Sequence, residues 1–258
     1  MAKRRQPETH ILLPDLHFPE YHRGLWRAVL AFMDRNRVDG VTWMGDQLSL
    51  DEISHHNQHR PGLKGKGALR ANLDAFASLL DEIDARLPKG ALKRWHYGNH
   101  ERFVQDLYDA NPELEGMVDL EEHLGLEGRG YEIFKLGEMS ELGNLGVIHG
   151  DQVGSGKYVA NKLVEAYCRP IVMGHVHTSS SIAKVAAASA KQKWVGWTLG
   201  TMGTVKPAYA RNRINPHLNG LAVVELMPND QFNLYPIIAD SGTGSFAYGG
   251  QYYCGTKR

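Results

Sequence analysis

Five short blocks of this sequence carry the residue types that bind divalent metal ions: Asp15-Leu16-His17, Gly45-Asp46, Gly98-Asn99-His100-Glu101, His149-Gly150 and Gly174-His175-Val176-His177. Their donors are carboxylate oxygens, imidazole nitrogens and an amide oxygen. The absence of thiolate points away from a structural zinc site and toward Mn, Fe, Zn or Co in a reactive one. Two such ions about 3.5–4 Å apart, sharing a carboxylate, assist in-line displacement at phosphorus. Singly, each block says little, because a lone buried histidine is more often a hydrogen-bonded core residue than a ligand. Five blocks in the same structural position would need five coincidences.

That position is the end of an apolar strand. Ile11–Leu13 stops at Pro14-Asp15, Val41–Met44 at Gly45-Asp46, and Leu92–Tyr97 at Gly98. Loops beyond the carboxyl ends of strands line the ligand crevice of α/β proteins, and a backbone turning beneath a ligand often needs glycine. Between the strands, Leu25, Val29 and Phe32 predict a helix over 22–36, and the Leu69-Leu73-Phe76-Leu80-Ile83-Leu87 spacing predicts one over 68–87. Residues 101–124 read as two helical pieces broken near Asn111-Pro112, and 157–167 as one more helix. The second half is otherwise short strands: 131–136, 145–149, 171–174, 193–199, 221–227 and 232–238. A β-α-β-α-β half followed by strands suggests two packed sheets flanked by helices. Residues 1–238 read as a single domain and 239–258 as a Gly- and aromatic-rich tail strapped over the surface.

Composition sets the outer bounds. With 258 residues, 42% hydrophobic and 22% charged, the chain can bury a sizeable core. Lys plus Arg and Asp plus Glu both number 29, so bulk positive charge does not coat nucleic acid here. Two cysteines, Cys168 and Cys254, exclude a disulfide scaffold. Cys168 is expected to fill a helix–sheet contact. No run approaches the length of a membrane span, no export signal stands out, and a cytoplasmic location with no membrane partner is the expectation.

Taken together and in order, the five blocks resemble the calcineurin-like metallophosphoesterase family, whose pattern is Asp-x-His, Gly-Asp, Gly-Asn-His-Asp/Glu, a His after a strand, and Gly-His-x-His. The resemblance runs from Asp15 to His177, and Thr198-Leu199-Gly200-Thr201 is a looser match to a later turn. It implies a four-layer α/β/β/α sandwich of two mixed sheets. It implies one metal on Asp15, His17, Asp46 and His177 and a second on Asp46, Asn99, His149 and His175, with Asp46 bridging. It also implies a metal-bridging hydroxide as nucleophile, and His100 protonating the leaving oxygen or stabilising its charge. A hydrogen-bonding role for His100 is the alternative. Two divalent transition-metal ions are expected, manganese first, with Fe, Zn, Co or Ni behind it.

One departure bears on substrate. Protein phosphatases of this family carry Gly-Asp-x-x-Asp-Arg-Gly, whereas this chain reads Gly45-Asp46-Gln47-Leu48-Ser49-Leu50, without the Arg that grips a phosphomonoester. Residues 51–67 hold His55, His56, His59, Arg60, Lys64 and Lys66. They read as a solvated loop or as a basic lid, in which Lys64 and Lys66 would meet substrate phosphates. Lys157, in a Gly-Ser-Gly-Lys stretch that lacks P-loop spacing, is a further candidate contact. The expectation is a phosphodiesterase acting on nucleotides or nucleic acid. A small-molecule phosphomonoesterase and an inert binding scaffold on the same fold are its rivals.

Overall fold

The computed structural model describes residues 6–57, 69–186, 189–206 and 215–256. Lys64 and Lys66, with His59 and Arg60, lie outside the described residues. The first sheet has the order β11-β10-β1-β2-β3-β4, built from β1 (Glu8–Leu13), β2 (Gly40–Trp43), β3 (Leu92–His96), β4 (Glu132–Phe134), β10 (Gly220–Leu226) and β11 (Phe232–Ile238). The second has the order β5-β6-β7-β9-β8, from β5 (Ser140–Leu142), β6 (Leu145–Ile148), β7 (Ile171–Met173), β8 (Ser180–Ala186) and β9 (Ser189–Thr198). β1 through β4 pair in parallel, as do β6, β7 and β9. Each sheet therefore gathers the carboxyl ends of at least three strands at one edge.

Strand alternation sorts the core into layers. Ile11, Leu13, Val41 and Trp43 face α1 (Arg23–Arg35) and α2 (Leu69–Asp84), packing on Leu25, Val29, Phe32, Phe76 and Leu80. Their neighbours Leu12 and Met44, with Ala222 and Val224, face the other way and meet Leu145, Val147 and Val172 of the second sheet. That sheet's far face presents Ile148, Ile171 and Met173 to Val159 and Leu163 of α5 (Val159–Tyr167). Helix, sheet, sheet, helix is the four-layer α/β/β/α sandwich of two mixed sheets that the sequence resemblance implies. The break at Asn111 separates α3 (Phe103–Ala110) from a short turn and α4 (Leu120–Leu124). No helix among the described residues is long and apolar enough to cross a membrane.

Three features depart from the sequence reading. β5 and β8 are edge strands of polar and small residues, which leave no apolar periodicity to read. β10 and β11 return to the first sheet rather than extending the second, β10 pairing antiparallel with β1. Cys168 caps α5 in a left-handed conformation and is exposed, so it fills no helix–sheet contact. One buried polar link joins the sheets, where His96 on β3 meets Ser140 Oγ on β5 at 2.8 Å. Burial holds its imidazole neutral, with a pKa of about 3.

The residues from Ala239 onward wrap back on α1. A hairpin of β12 (Phe246–Tyr248) and β13 (Gln251–Tyr253) brings Phe246 and Tyr253 into the main core. Tyr253 is fully buried, its ring 5.3 Å from Phe32 and its hydroxyl 2.8 Å from Asn36 Nδ2. Removing a large buried ring leaves a cavity that rigid neighbours fill only partly. Tyr253→Ala should therefore cost about 3–5 kcal/mol of unfolding free energy, read from urea denaturation. A cost under about 1 kcal/mol would make the segment a surface strap instead.

Candidate metal centre

The parallel ladder between β1 and β2 continues past the strand ends and fixes the first two blocks. Met44 N donates to Leu13 O, Asp15 N to Gly45 O at 3.2 Å, and His17 N to Asp46 O at 2.9 Å. Beyond β3 the chain turns through Asn99 and His100. Beyond β6 and β7 it turns through His149 and through His175 and His177. The backbone itself is unusual here. Asp15, His17, Asp46, His175 and His177 all adopt positive φ, between 48° and 62°. Only three other non-glycine residues do so among the described residues: Leu50, Cys168 and Asp230. Side chains in this conformation are strained and persist where the surroundings over-determine them.

Two glycines show how tightly the carboxylates are gripped. A Cβ on Gly98 would collide with the Asp46 carboxylate and its backbone N, and one on Gly174 would collide with Asp15 Oδ2. The glycines of the third and fifth blocks thus clear space for the acids of the second and first. Asp15 is held further: His175 N donates to both its oxygens at 3.0 Å, and Thr201 Oγ1 donates to its backbone carbonyl at 2.6 Å. Asn219 in turn donates to the carbonyls of Thr201 and Gly203 at 3.0 and 2.7 Å.

The side chains converge in two groups. Donor atoms of Asp15, His17 and His177 lie within 4.8 Å of one another, and so do those of Asp46, His149 and His175. Asp46 also groups with His17 and His100, which sets it between the two. Within the groups, lone pairs face lone pairs. His17 Nε2 and His177 Nε2 are 3.0 Å apart, and His177 Nε2 is 3.3 Å from Asp15 Oδ1. His149 donates Nδ1–H to Met44 O, which leaves a bare Nε2 facing Asn99 Oδ1 at 3.1 Å and Asp46 Oδ2 at 3.5 Å. His175 Nδ1 is buried without a hydrogen-bond partner. Ligands about 2.1 Å from a cation and at right angles to it stand about 3 Å apart. The donor set and the orphaned nitrogens fit a pair of divalent ions.

Electrostatics reinforce this. Asp15 and Asp46 are almost fully buried. Burial would raise the Asp46 pKa, but His149, His100 and His17 together hold it far below the usual carboxylate range. His17 is pushed well down by burial and by the neighbouring His100 and His177. His175 is lowered by burial and His149. His149 and His100 go the other way. Burial opposes their charge, yet the Asp46 carboxylate outweighs it. The lowered His17 and His175 beside the ionised Asp46 are in the protonation states that coordinate metal, whereas His149 would give up a proton on binding one.

His100 stands slightly apart, its Nδ1 2.8 Å from Ser49 O and its Nε2 3.9 Å from Asp46 Oδ2. Lys157 is exposed, its Nζ 5.4 Å from the Tyr158 ring centroid. Two residues of the site escaped the sequence reading. His217 packs edge-on against His177, with ring centroids 4.7 Å apart, and burial lowers its pKa to about 4. No strand-end motif surrounds it. Glu101, visible only as the last letter of its block, is a buried brace. It accepts from Asp46 N at 2.9 Å, Gly98 N at 2.8 Å and Leu48 N at 3.2 Å. Burial and the Asp46 charge still push it up to about 7.

Comparison of the sequence with protein-family models and with curated proteins finds no match. Among solved structures, the chain is similar to a point mutant of Vps29 from Entamoeba histolytica, at 13% identity and TM-score 0.45 over 91% of this chain and 94% of that one. It is similar to vacuolar protein sorting 29 from Cryptosporidium parvum, at 13% identity and TM-score 0.47 over 96% of both chains. It is also similar to a purple acid phosphatase from yellow lupin (Lupinus luteus) seeds, at 13% identity and TM-score 0.38, spanning 98% of this chain and 54% of that one.

The Glu101 brace can be tested without metal. Glu101→Gln replaces one acceptor oxygen with a donor that faces a backbone N–H, leaving a buried group unpaired. In EDTA the variant should lose about 1–3 kcal/mol of unfolding free energy, measured by thermal or urea denaturation. An unchanged stability would mean that the three N–H groups find other partners.

Proposed function

We propose that this chain is a metal-dependent phosphoesterase of the calcineurin-like metallophosphoesterase type, acting on phosphodiesters of nucleotides or nucleic acid. The observation that carries the reading is Asp46, a buried, ionised carboxylate whose oxygens face histidines of both ligand groups. Asp15, His17, Asp46 and His177 would hold one divalent ion; Asp46, Asn99, His149 and His175 would hold the other, with manganese the first choice. When bound, such ions supply Lewis acidity at the phosphoryl oxygens and a nucleophile at neutral pH.

The remaining work falls to side chains of this protein. Ser49 O fixes the His100 ring through Nδ1, so the exchangeable proton sits on Nε2, on the cleft side. The nearby Asp46 and Glu101 charges favour the imidazolium over the neutral ring. His100 is thereby suited to give a proton to a departing alkoxide.

The cleft also bears on diester against monoester. It is lined by His17, Glu20, Ser49, Asp51, His100, His177 and Thr204, with no Lys or Arg among the described residues. Gln47, beside Asp46, is fully buried and turned to His96 O at 3.1 Å. Among the described residues, the Glu20 and Asp51 carboxylates at the mouth disfavour the dianion of a monoester more than the monoanion of a diester.

Two substitutions test this. Asp46→Asn should abolish hydrolysis and deplete both metals, since one bridging charge serves both; elemental analysis of the purified variant checks it. Retained activity at full occupancy would sink the bridging role. His100→Ala should keep its metals and lose about 10²–10⁴-fold in kcat on a poor leaving group. The deficit should shrink on p-nitrophenyl esters, whose leaving group needs little protonation. Equal losses on both would make His100 a charge stabiliser.

A further inference from the structure

A second groove opens on the Asn99 side of the ligand cluster, lined by His55, His56, Asn99, Arg102, Phe103 and Asp106. A line of rings leads to it from the donor cluster, and the last three, Phe103, His56 and His55, line the groove. His17 lies 4.7 Å from His100, His100 lies 5.0 Å from Phe103, and Phe103 lies 5.8 Å from His56, whose ring is 3.9 Å from that of His55. Phe103 is buried, whereas His55 and His56 are exposed. The outer end of the line is thus a pair of exposed imidazoles packed against each other.

The pair is held in place. Asn57, the buried residue that ends their turn, donates to Asp51 Oδ1 at 2.8 Å, and His55 Nδ1 is 3.4 Å from Asp106 Oδ2. Asp106 also accepts from Arg102 Nε at 3.3 Å, so that cation is already engaged. Asp109 adds a further acid to the lining. Among the described residues, exposed rings, an arginine engaged by Asp106 and the further carboxylate of Asp109 suit a planar, uncharged group better than a phosphate.

Position supplies the rest. The groove begins beyond His100, where the leaving group must extend if His100 protonates the leaving oxygen. We propose that this groove receives the leaving alcohol of a phosphodiester and is shaped for a single nucleoside, its base stacked on the His55–His56 pair. The assignment rests on the phosphodiesterase reading above. In that reaction the oxygen of water bonds to phosphorus, and the bond from phosphorus to the nucleoside oxygen breaks with its electron pair on that oxygen. The oxygen takes the His100 proton, and the proton released by water restores His100. The next phosphate of a polynucleotide leaving strand would meet the Asp109 carboxylate, so a mononucleoside is preferred to a strand.

The test compares the methyl phosphodiester of thymidine with that of 1,2-dideoxyribose, which offers the same leaving hydroxyl but no base. The Mn²⁺-loaded full-length protein should favour the thymidine ester by about tenfold in kcat/KM, the scale of one base–aromatic stack. His55→Ala/His56→Ala should bring the two substrates to the same value, and His56→Trp should restore the preference. Calorimetric titration with thymidine alone gives a readout independent of turnover: binding to wild type and its loss in the double variant are expected. No preference and no thymidine binding would overturn the groove assignment. A preference that survives in the double variant would overturn the role of the histidines. Thymidine binding without hydrolysis of either ester would uphold the groove and overturn the phosphodiesterase reading. A benzyl alcohol arm binding as tightly as thymidine would replace the nucleoside with aromatic alcohols in general.

Discussion

Two carboxylates have to be accommodated inside protein, and the surroundings of Asp15 and Asp46 are organised around that need. Both are almost entirely out of water, where an isolated carboxylate is strongly disfavoured unless compensated. Backbone amides supply part of the compensation, from His175 to Asp15 and from His100 to Asp46. Histidines supply more, their ring nitrogens approaching one another and the acids at 3.0 to 3.5 Å. The left-handed backbone at five ligand positions, and the glycines whose side chains would fill the acids' own space, follow from packing so many donors around two small centres.

The fold meets the need by repetition. Parallel strands end in register, so the loop after each one emerges at the same edge. Two sheets packed face to face bring two such edges together: β1, β2 and β3 deliver Asp15, His17, Asp46 and Asn99, while β6 and β7 deliver His149, His175 and His177. Neither sheet alone holds a complete set. The interior between them, from Leu12 and Met44 on one side to Val147 and Val172 on the other, therefore sets the spacing of the centre as well as the stability of the domain. β10, antiparallel beside β1, brings Asn219 beneath the site, where it braces the turn that carries Thr201.

Around this centre the charges are distributed unevenly. The cleft over His17 and His100 carries Glu20 and Asp51, and the neighbouring groove carries Asp106 and Asp109 beside its histidines. Among the described residues, these carboxylates give the rim of the donor cluster its negative charge.

The sequence by itself determined where the His, Asp and Asn blocks stand, at strand ends, and the layered α/β architecture. Each of these is written locally: an apolar run of strand length, a glycine, then a metal-ligating side chain. The buried face of α2, from Leu73 through Phe76 and Leu80 to Ile83, was legible for the same reason. Tertiary structure alone decided which strands share a sheet, because β10 and β11 are as apolar as any strand of the second sheet yet join the first, β10 pairing with β1 and β11 with β10. It alone placed Tyr253 in the core, since an aromatic residue in a glycine-rich tail has the same local pattern whether it is buried or exposed. It alone showed Glu101 as a brace and set His217 beside His177, 40 residues apart in the chain. Hydrogen bonds and ring contacts between distant loops leave no periodicity in the sequence, so they are visible only once the two sheet edges meet.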